Sequence, residues 1–595
     1  MTQKKKYGLS FIALAFALAI FLIYPVIFGY PAKLIGWDAL GYYLYLPQTF
    51  IEGDLALSDT TPVLNAIHNY DLAPTLYQAH PVENGNNVIQ YTAGLSVLYA
   101  VFFFIGHVIA GMSDYAADGY SAPYQYAMLA GSYFYMIVGL IYTRKVLLHF
   151  FSEQISALAI LLICFGTNYY VIHTASHGMP HVYLFTLYAI LIWQTIKWHA
   201  NNSIKNSIIL GGILGLMALS RVTEIFAILI PVLYGVNSWK GFKEKIGGFF
   251  TKDLKATIGI AIPMILIGSI QLMYWKYTTG HFVYNSYANA GEGLDLHNPH
   301  TFNFLFSFRK GWFIYTPLAV LGIYGLTRLK ADQRQNWILG LLAFTIINTY
   351  ISSCWSNWWY ATSFGQRTMV QSYIVMAIGF GALFTNPPKL KALRHLVTTL
   401  AVLFLALNLF QSWQYKRGII HADRMTARAY FAVFGKTDVP QNFGELLLID
   451  RTNAVFDETK YTETLTREFK NGEEHTFTDE YGPTIDIPYS EITEKDHAWI
   501  KTSVFIKSSV LENNSLSLTQ TFMHGGKNYH DRYISMNSGL GARSEDSLWT
   551  YFESYYLTPE VRFKSDIFRT FIWNSSQAEV RMKNFRIQVF ELIEN

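Results

Sequence analysis

The sequence is poor in cysteine, in charge and in any dominant sign of charge. Only two of its 595 residues are cysteine. Cys164 lies inside an apolar run and Cys354 outside one, which excludes a disulfide framework or a cysteine zinc site. Charged residues make up 14% of the chain, too few for an ordinary soluble domain. The formal net charge is only +4 and the basic residues are scattered between apolar segments, so nucleic acid is excluded as a partner. Low-complexity tracts and solenoid repeats are missing as well.

What the sequence has is apolar length. Half of it is hydrophobic and 16% aromatic. Leu9 to Phe28, Ala256 to Met273 and Thr398 to Trp413 each approach the roughly 20 residues that cross a hydrocarbon core. The N-terminal Lys4-Lys5-Lys6 before the first run places that end in the cytoplasm and makes the run an uncleaved first helix. Spans are then expected near 9–28, 124–142, 153–172, 179–197, 207–219, 223–237, 256–275, 311–327, 336–352, 367–385 and 394–413, about eleven in all.

Loop charges orient these spans. Lys240, Lys243, Lys245, Lys252 and Lys255 fall inside, as do Arg328, Lys330 and Arg334, and Lys389, Lys391 and Arg394. The segment Tyr91 to Met112 breaks this pattern if it spans, because Asp114 and Asp118 would lie inside and Arg144 and Lys145 outside. It is therefore read as in-plane or re-entrant, within a first outer loop over 30–123. From about Pro440 the pattern changes to short alternating segments, such as Trp499 to Ile506 and Val580 to Leu592, with the polar turn Gly525-Gly526-Lys527-Asn528. The expectation is a polytopic α-helical membrane protein over 1–415, a linker over 416–439 and an extracytoplasmic β-sandwich-like domain over 440–595.

On this map the unusual polar residues converge on the outer face. Asp38 follows the first span among Trp37, Tyr42 and Tyr43; it can cap the helix that periodicity predicts up to Phe50, or accept a proton from a hydroxyl. His173, His177 and His181 are spaced to share one helical face, but Gly178 and Pro180 break continuity. Their alternatives are interface packing, hydrogen bonds to phosphate or sugar, and a metal site. Arg221 and Glu224 stand three apart at a turn and can pair with each other. Arg309, Lys310 and Arg367, at outward ends of apolar segments, can hold a lipid phosphate or snorkel to headgroups. Trp358, in Cys354-Trp355-Ser356-Asn357-Trp358-Trp359-Tyr360, can stack on a sugar or sit in an interfacial belt.

In order and arrangement these pieces resemble the GT-C superfamily of membrane glycosyltransferases, in particular bacterial members related to protein mannosyltransferases and lipid A aminoarabinose transferases. Trp37-Asp38 with Tyr42-Tyr43 resembles the family's outer-loop acidic motif. Tyr91-Thr92-Ala93-Gly94 resembles its Tyr-Pro-Pro-Gly element with both prolines replaced. Gly215 to Thr223 resembles its Gly-Leu-Ala-Leu-Thr-Arg-Pro-Thr turn, and Arg309 to Pro317 and Trp358 to Arg367 resemble later outward elements. The resemblance spans about residues 1–415. It implies transfer of a sugar from a polyprenyl-phosphate donor to an extracytoplasmic glycan, lipid or protein at the inner membrane, with the C-terminal domain on the periplasmic side. Asp38 is then the catalytic base, and Tyr42, Tyr43, His173, His177, Arg221, Glu224, Arg309, Lys310, Trp358 and Arg367 contact substrates. Many relatives carry a second acidic residue where this chain has Ser176-His177-Gly178, so a divalent metal is unsupported and no cofactor is called for.

Three other readings fit the same sequence: a glycan polymerase or ligase using a lipid-diphosphate donor, a lipid or sugar transporter, and a non-catalytic membrane scaffold for the outer domain, whose cationic cluster would tolerate substitution. A transporter should show inverted repeats and mid-membrane charges, and neither is found. A reporter fused after Lys252 is expected in the cytoplasm and one fused after Asn595 outside; the reverse result at either point overturns the topology.

Overall fold

The computed structural model describes residues 8–29, 33–287, 292–329, 337–537, 542–543, 549–561 and 563–593. Lys4, Lys5, Lys6, Lys330, Arg334 and Asn595, used above for topology, lie outside the described residues. The chain divides into two compact units, Met1–Ala288 with Asp295–Val439, and Asn289–Leu294 with Pro440–Asn595.

The first unit is helical. Among the described residues six helices are long and apolar enough to cross a membrane: Leu9–Phe28, Gly94–Gly111, Ala122–Phe150, Leu254–Thr279, Arg367–Thr385 and Lys391–Lys416. A seventh is gained if Glu153–Gly166 and Tyr169–Ala175, bent by 60°, form one broken span. This is fewer than the roughly eleven that apolar length suggests. Apolar length measures burial cost and is blind to breaks. The expected span at 311–327 is interrupted at Thr316-Pro317 into Trp312–Tyr315 and Leu318–Leu326, because proline cannot donate to the helix ladder. The expected span at 223–237 is a 3-10 turn, Val222–Ile228, followed by a single helical turn.

Within Tyr91 to Met112, read above as in-plane or re-entrant, the helix is Gly94–Gly111. Gly94–Gly111 runs antiparallel along the first half of Ala122–Phe150: Gly106 faces Tyr124 and Ala127, Gly131 faces the Phe102 ring, and the Tyr135 hydroxyl donates to the Leu98 carbonyl at 3.1 Å. Asp118 accepts the N–H groups of Tyr120 and Ser121 at 2.9 and 3.0 Å and the Tyr70 hydroxyl at 2.5 Å, so its charge shapes the turn into the next helix.

At one end of the bundle Ser10, Arg144 and Glu153 tie three helices together. Ser10 donates its N–H to Glu153 at 3.0 Å, and Arg144 reaches Ser10 Oγ at 2.7 Å and Glu153 at 3.4 Å. The segment 416–439 is no linker. Its Ala427–Val433 helix returns to the bundle, where Gln411 Nε2 donates to the Tyr430 hydroxyl at 2.6 Å and Gln414 Nε2 to the Val433 and Lys436 carbonyls at 2.8 Å each.

The second unit contains two antiparallel sheets. One has the strand order Tyr461–Glu468, Val580–Leu592, Ala498–Lys507, Thr550–Leu557, Ala542–Arg543, with His475–Phe477 also on Val580–Leu592. The other runs Tyr481–Pro488, Ile567–Asn574, Leu516–His524, Lys527–Ser535. Inward residues of both, among them Ile500, Val504, Val589, Leu518, Phe568 and Ile572, share one core. The Gly525-Gly526 turn closes its hairpin with both residues at positive φ, where a side chain would be strained.

Helix approach in the first unit depends on glycine. A Cβ on Gly379 would sit 2.0 Å from the Gly322 carbonyl oxygen, and one on Gly325 2.0 Å from that of Gly379. Gly379→Ala is expected to force Leu318–Leu326 and Tyr373–Thr385 apart at a cost of about 1–3 kcal/mol. The check is a lowered thermal unfolding midpoint in detergent; an unchanged midpoint would mean that the contact yields freely.

Candidate functional site

The site is assembled from the first loop upward. Leu34 and Ile35 both donate their N–H to Gln125 Oε1 at 2.9 Å, fixing the chain's return from the first helix. Trp37 then takes φ 53°, a conformation few non-glycine residues adopt. It is held from both sides, its N–H on the Leu72 carbonyl and its own carbonyl on Gln78 Nε2, each at 3.0 Å. Such strain persists only where surrounding contacts over-determine it. The result is that Trp37 occupies the N-cap position and Asp38 the first position of the Asp38–Tyr43 helix, so Asp38 is not the cap.

The Asp38 carboxylate is held by three donors. Oδ1 accepts the hydroxyls of Tyr77 and Tyr91 at 2.9 Å each, and Oδ2 pairs with Arg367 at 3.1 Å. The Asp38 side chain is 29% exposed and that of Arg367 15%, so the pair is shielded but open to solvent on one side. Burial together with the Asp38 charge pushes the Tyr77 and Tyr91 hydroxyls well above the ordinary phenol range, which keeps both as neutral donors. Arg367 Nε is buried with no partner among the described residues.

Tyr91 is fixed by its neighbours. Its carbonyl accepts the Tyr45 hydroxyl at 2.6 Å, Thr92 donates to the Ser220 carbonyl at 3.0 Å, and the Ala93 N–H to Gln271 at 2.9 Å. Gly94 packs against the backbone of Leu219 and Ser220, and Gly41 lies under the Tyr91 ring, where a Cβ would fall 2.2 Å from it. The Tyr42 ring packs against that of Tyr91 at 4.6 Å between centroids, inclined by 43°.

Other expected site residues divide. Arg221, beside this cluster, interacts electrostatically with Tyr42, Glu224 and Tyr360. Among the described residues no ion pair joins Arg221 to Glu224; the Glu224 oxygens accept from the Tyr188 hydroxyl and Gln371 Nε2. Gln371 also meets His181 Nδ1 at 3.1 Å. The three histidines share no face. The helix stops at Ala175 and restarts at Pro180, His173 stacks on Tyr169 at 3.6 Å, and His177 meets Ser132 at 3.2 Å. Among the described residues no cluster of three or more His, Cys, Asp or Glu side chains is placed to hold a metal ion. Trp358 is nearly buried, in edge contact with Trp359.

Three expectations are corrected. Tyr43 is fully buried and its hydroxyl donates to the Gly119 carbonyl at 2.5 Å, which removes it from any substrate surface. Lys310 is 1% exposed and donates to the Ser363 carbonyl at 2.5 Å and to the Ala422 carbonyl, so it ties two loops together. Arg309 is occupied too, with Nε on the Asp423 carbonyl at 2.7 Å and its guanidinium over the Trp359 ring at 4.2 Å. Of the three cations expected at a phosphate, Arg367 is the one with a buried donor, Nε, that has no partner among the described residues. Tyr77 carried no sequence signal, while Tyr91 stood in a quoted motif without a role.

No family model matches this chain, and no curated protein matches it. Among solved structures it is similar to the oligosaccharyltransferase AglB of Archaeoglobus fulgidus in complex with an inhibitory peptide and a dolichol-phosphate (TM-score 0.38, 11% identity, 71% of this chain and 57% of that one). The apo oligosaccharyltransferase of the same organism gives 0.38, 13%, 74% and 59%. Its complex with zinc and sulfate gives 0.36, 12%, 71% and 54%. The chain thus spans less than two thirds of the length of these structures. Similarity at this level identifies neither a reaction nor a substrate.

Burial pushes the Lys310 ammonium from its ordinary 10.5 down to about 7. Between these values the unfolded chain holds a proton that the folded chain lacks, so this residue makes stability rise with pH across that window. The stability of wild type relative to Lys310→Met should therefore rise from pH 7 to pH 10; a relative stability flat in pH would overturn this placement of Lys310.

Proposed function

We propose that this chain is a membrane glycosyltransferase of the GT-C type that moves a sugar from a polyprenyl-phosphate donor to an extracytoplasmic acceptor. The observation that carries the reading is the arrangement around Asp38: a carboxylate directly after the first apolar helix, oriented by two tyrosine hydroxyls and an arginine with a buried donor that has no partner among the described residues. The motif resemblance over the helical unit supports it independently.

On this reading the reaction is a single displacement. The acceptor hydroxyl oxygen attacks the anomeric carbon while its proton passes to Asp38, and the bond from that carbon to the phosphate oxygen breaks with its electron pair left on the phosphate. Arg367, beside Asp38, stabilises the departing phosphate by charge-assisted hydrogen bonds. Tyr77 and Tyr91 hold the carboxylate's orientation, while Arg221, Tyr42 and Trp358 border the acceptor. A single displacement inverts the anomeric configuration. The reading places the chain in the inner membrane with its N-terminus cytoplasmic and its sheet-rich unit outside.

Asp38→Asn keeps the size of the side chain and removes the basic oxygen. In proteoliposomes supplied with polyprenyl-phosphate sugar, transfer is expected to fall by at least about a hundredfold while donor binding persists, since positioned bases contribute 10² to 10⁴ in rate. Arg367→Ala should instead weaken donor binding by about 1.5–3 kcal/mol. Near wild-type transfer by the Asn variant would make Asp38 structural. Activity with a lipid diphosphate alone would reassign the chain as a polymerase or ligase.

A further inference from the structure

A groove of about 1040 Å³ opens in the helical unit, bounded by the Leu9–Phe28, Glu153–Gly166 and Lys391–Lys416 helices. Its walls are hydrocarbon and aromatic, from Phe16, Ile20, Leu161, Phe165, Leu405 and Leu409. Its other end differs in kind. There Lys416 and Arg417 stand with Tyr24, Tyr170 and Trp413. Phe16 and Phe28 both line it, so it follows the helix for about 18 Å at 1.5 Å per residue. That is slightly more than one leaflet of a core about 30 Å thick.

Lys416 is the unexplained group. Its ammonium lies 3.5 Å from the Tyr24 ring centroid and 4.3 Å from that of Tyr170, and donates to Thr174 Oγ1 at 2.8 Å. Among the described residues no carboxylate pairs with it or with Arg417. Ring faces and a hydroxyl ease a cation's desolvation but supply no counter-charge. A lysine caged at the mouth of an apolar groove therefore calls for an anion attached to a hydrocarbon chain. The flank is open: Phe16 is 53% exposed, Leu409 42% and Trp413 40%. In a bilayer that flank faces bulk lipid, whose abundance fills the groove by mass action.

We propose that this groove is a binding site for one anionic glycerophospholipid of the surrounding bilayer, with an acyl chain along Leu161 and Leu405 and the phosphate on Lys416 and Arg417. The second acyl chain remains in the bilayer. The site is independent of the glycosyl-transfer reading, because none of these residues belongs to the Asp38 cluster.

The test is native mass spectrometry of the full chain released from phosphatidylcholine nanodiscs containing a minor fraction of phosphatidylglycerol. The wild type is expected to retain one phosphatidylglycerol in preference to phosphatidylcholine. Lys416→Gln should reduce that retention about tenfold, as the loss of a charge-assisted hydrogen bond does. Leu161→Trp, which fills the groove and leaves both charges in place, should abolish it. Arg417→Gln alters an exposed side chain and decides the matter if the others fail to fold: a reduced yield of the bound lipid supports the site, an unchanged one overturns it. Equal retention of both lipids, or displacement of phosphatidylglycerol by an equimolar polyprenyl phosphate, also overturns the proposal, the latter by giving the groove to the carrier.

Discussion

A carboxylate and a guanidinium that share a shielded site must compensate each other, and the pairing of Asp38 with Arg367 across 329 residues is the constraint from which the helical unit can be read. It joins the loop after the first helix to the turn Arg367–Ser372 that opens the Tyr373–Thr385 helix. Each charge offsets part of the other's cost of desolvation in so apolar a unit. Around it the loop is fixed by backbone bonds to Gln125, Gln271 and Ser220, so three separate helices position the residues that touch one carboxylate. Glycine enters where that convergence leaves no room, at Gly41 under Tyr91 and at Gly94 against Ser220.

Cations in this unit are compensated in four different ways. Arg367 has a carboxylate, Arg309 the carboxylate and carbonyl of Asp423 and an indole face, Lys310 two carbonyls and a hydroxyl, and Lys416 two phenol rings and a hydroxyl. The order matters for function, because a cation saturated by protein has little left for a ligand. Lys310 has become structural for this reason, while Arg367 and Lys416 keep the capacity to meet an anion.

Much of the architecture was legible in the sequence because it follows from local chemistry. Apolar length marked the first helix and Leu254–Thr279, alternation marked Ala498–Lys507 and Val580–Leu592, and Gly525-Gly526 marked the hairpin turn. Gly178 and Pro180 foretold that the histidines would not share a face. Apolar length misled at 311–327, where Pro317 breaks the run.

By itself, then, the sequence determined the solvent of each half: hydrocarbon for residues with apolar runs, water on one face for those with alternation. Asp38 and Arg367 could both be named from it, since a charge beside an apolar helix is costly wherever it ends up. Only the tertiary structure decided that they meet, that Tyr77 and Tyr91 complete the carboxylate's shell, and that Lys310 and Tyr43 turn inward. The physical reason is that composition and spacing fix what a residue costs to bury, whereas its partner is set by helix packing between segments hundreds of residues apart, for which a single sequence carries no local signal.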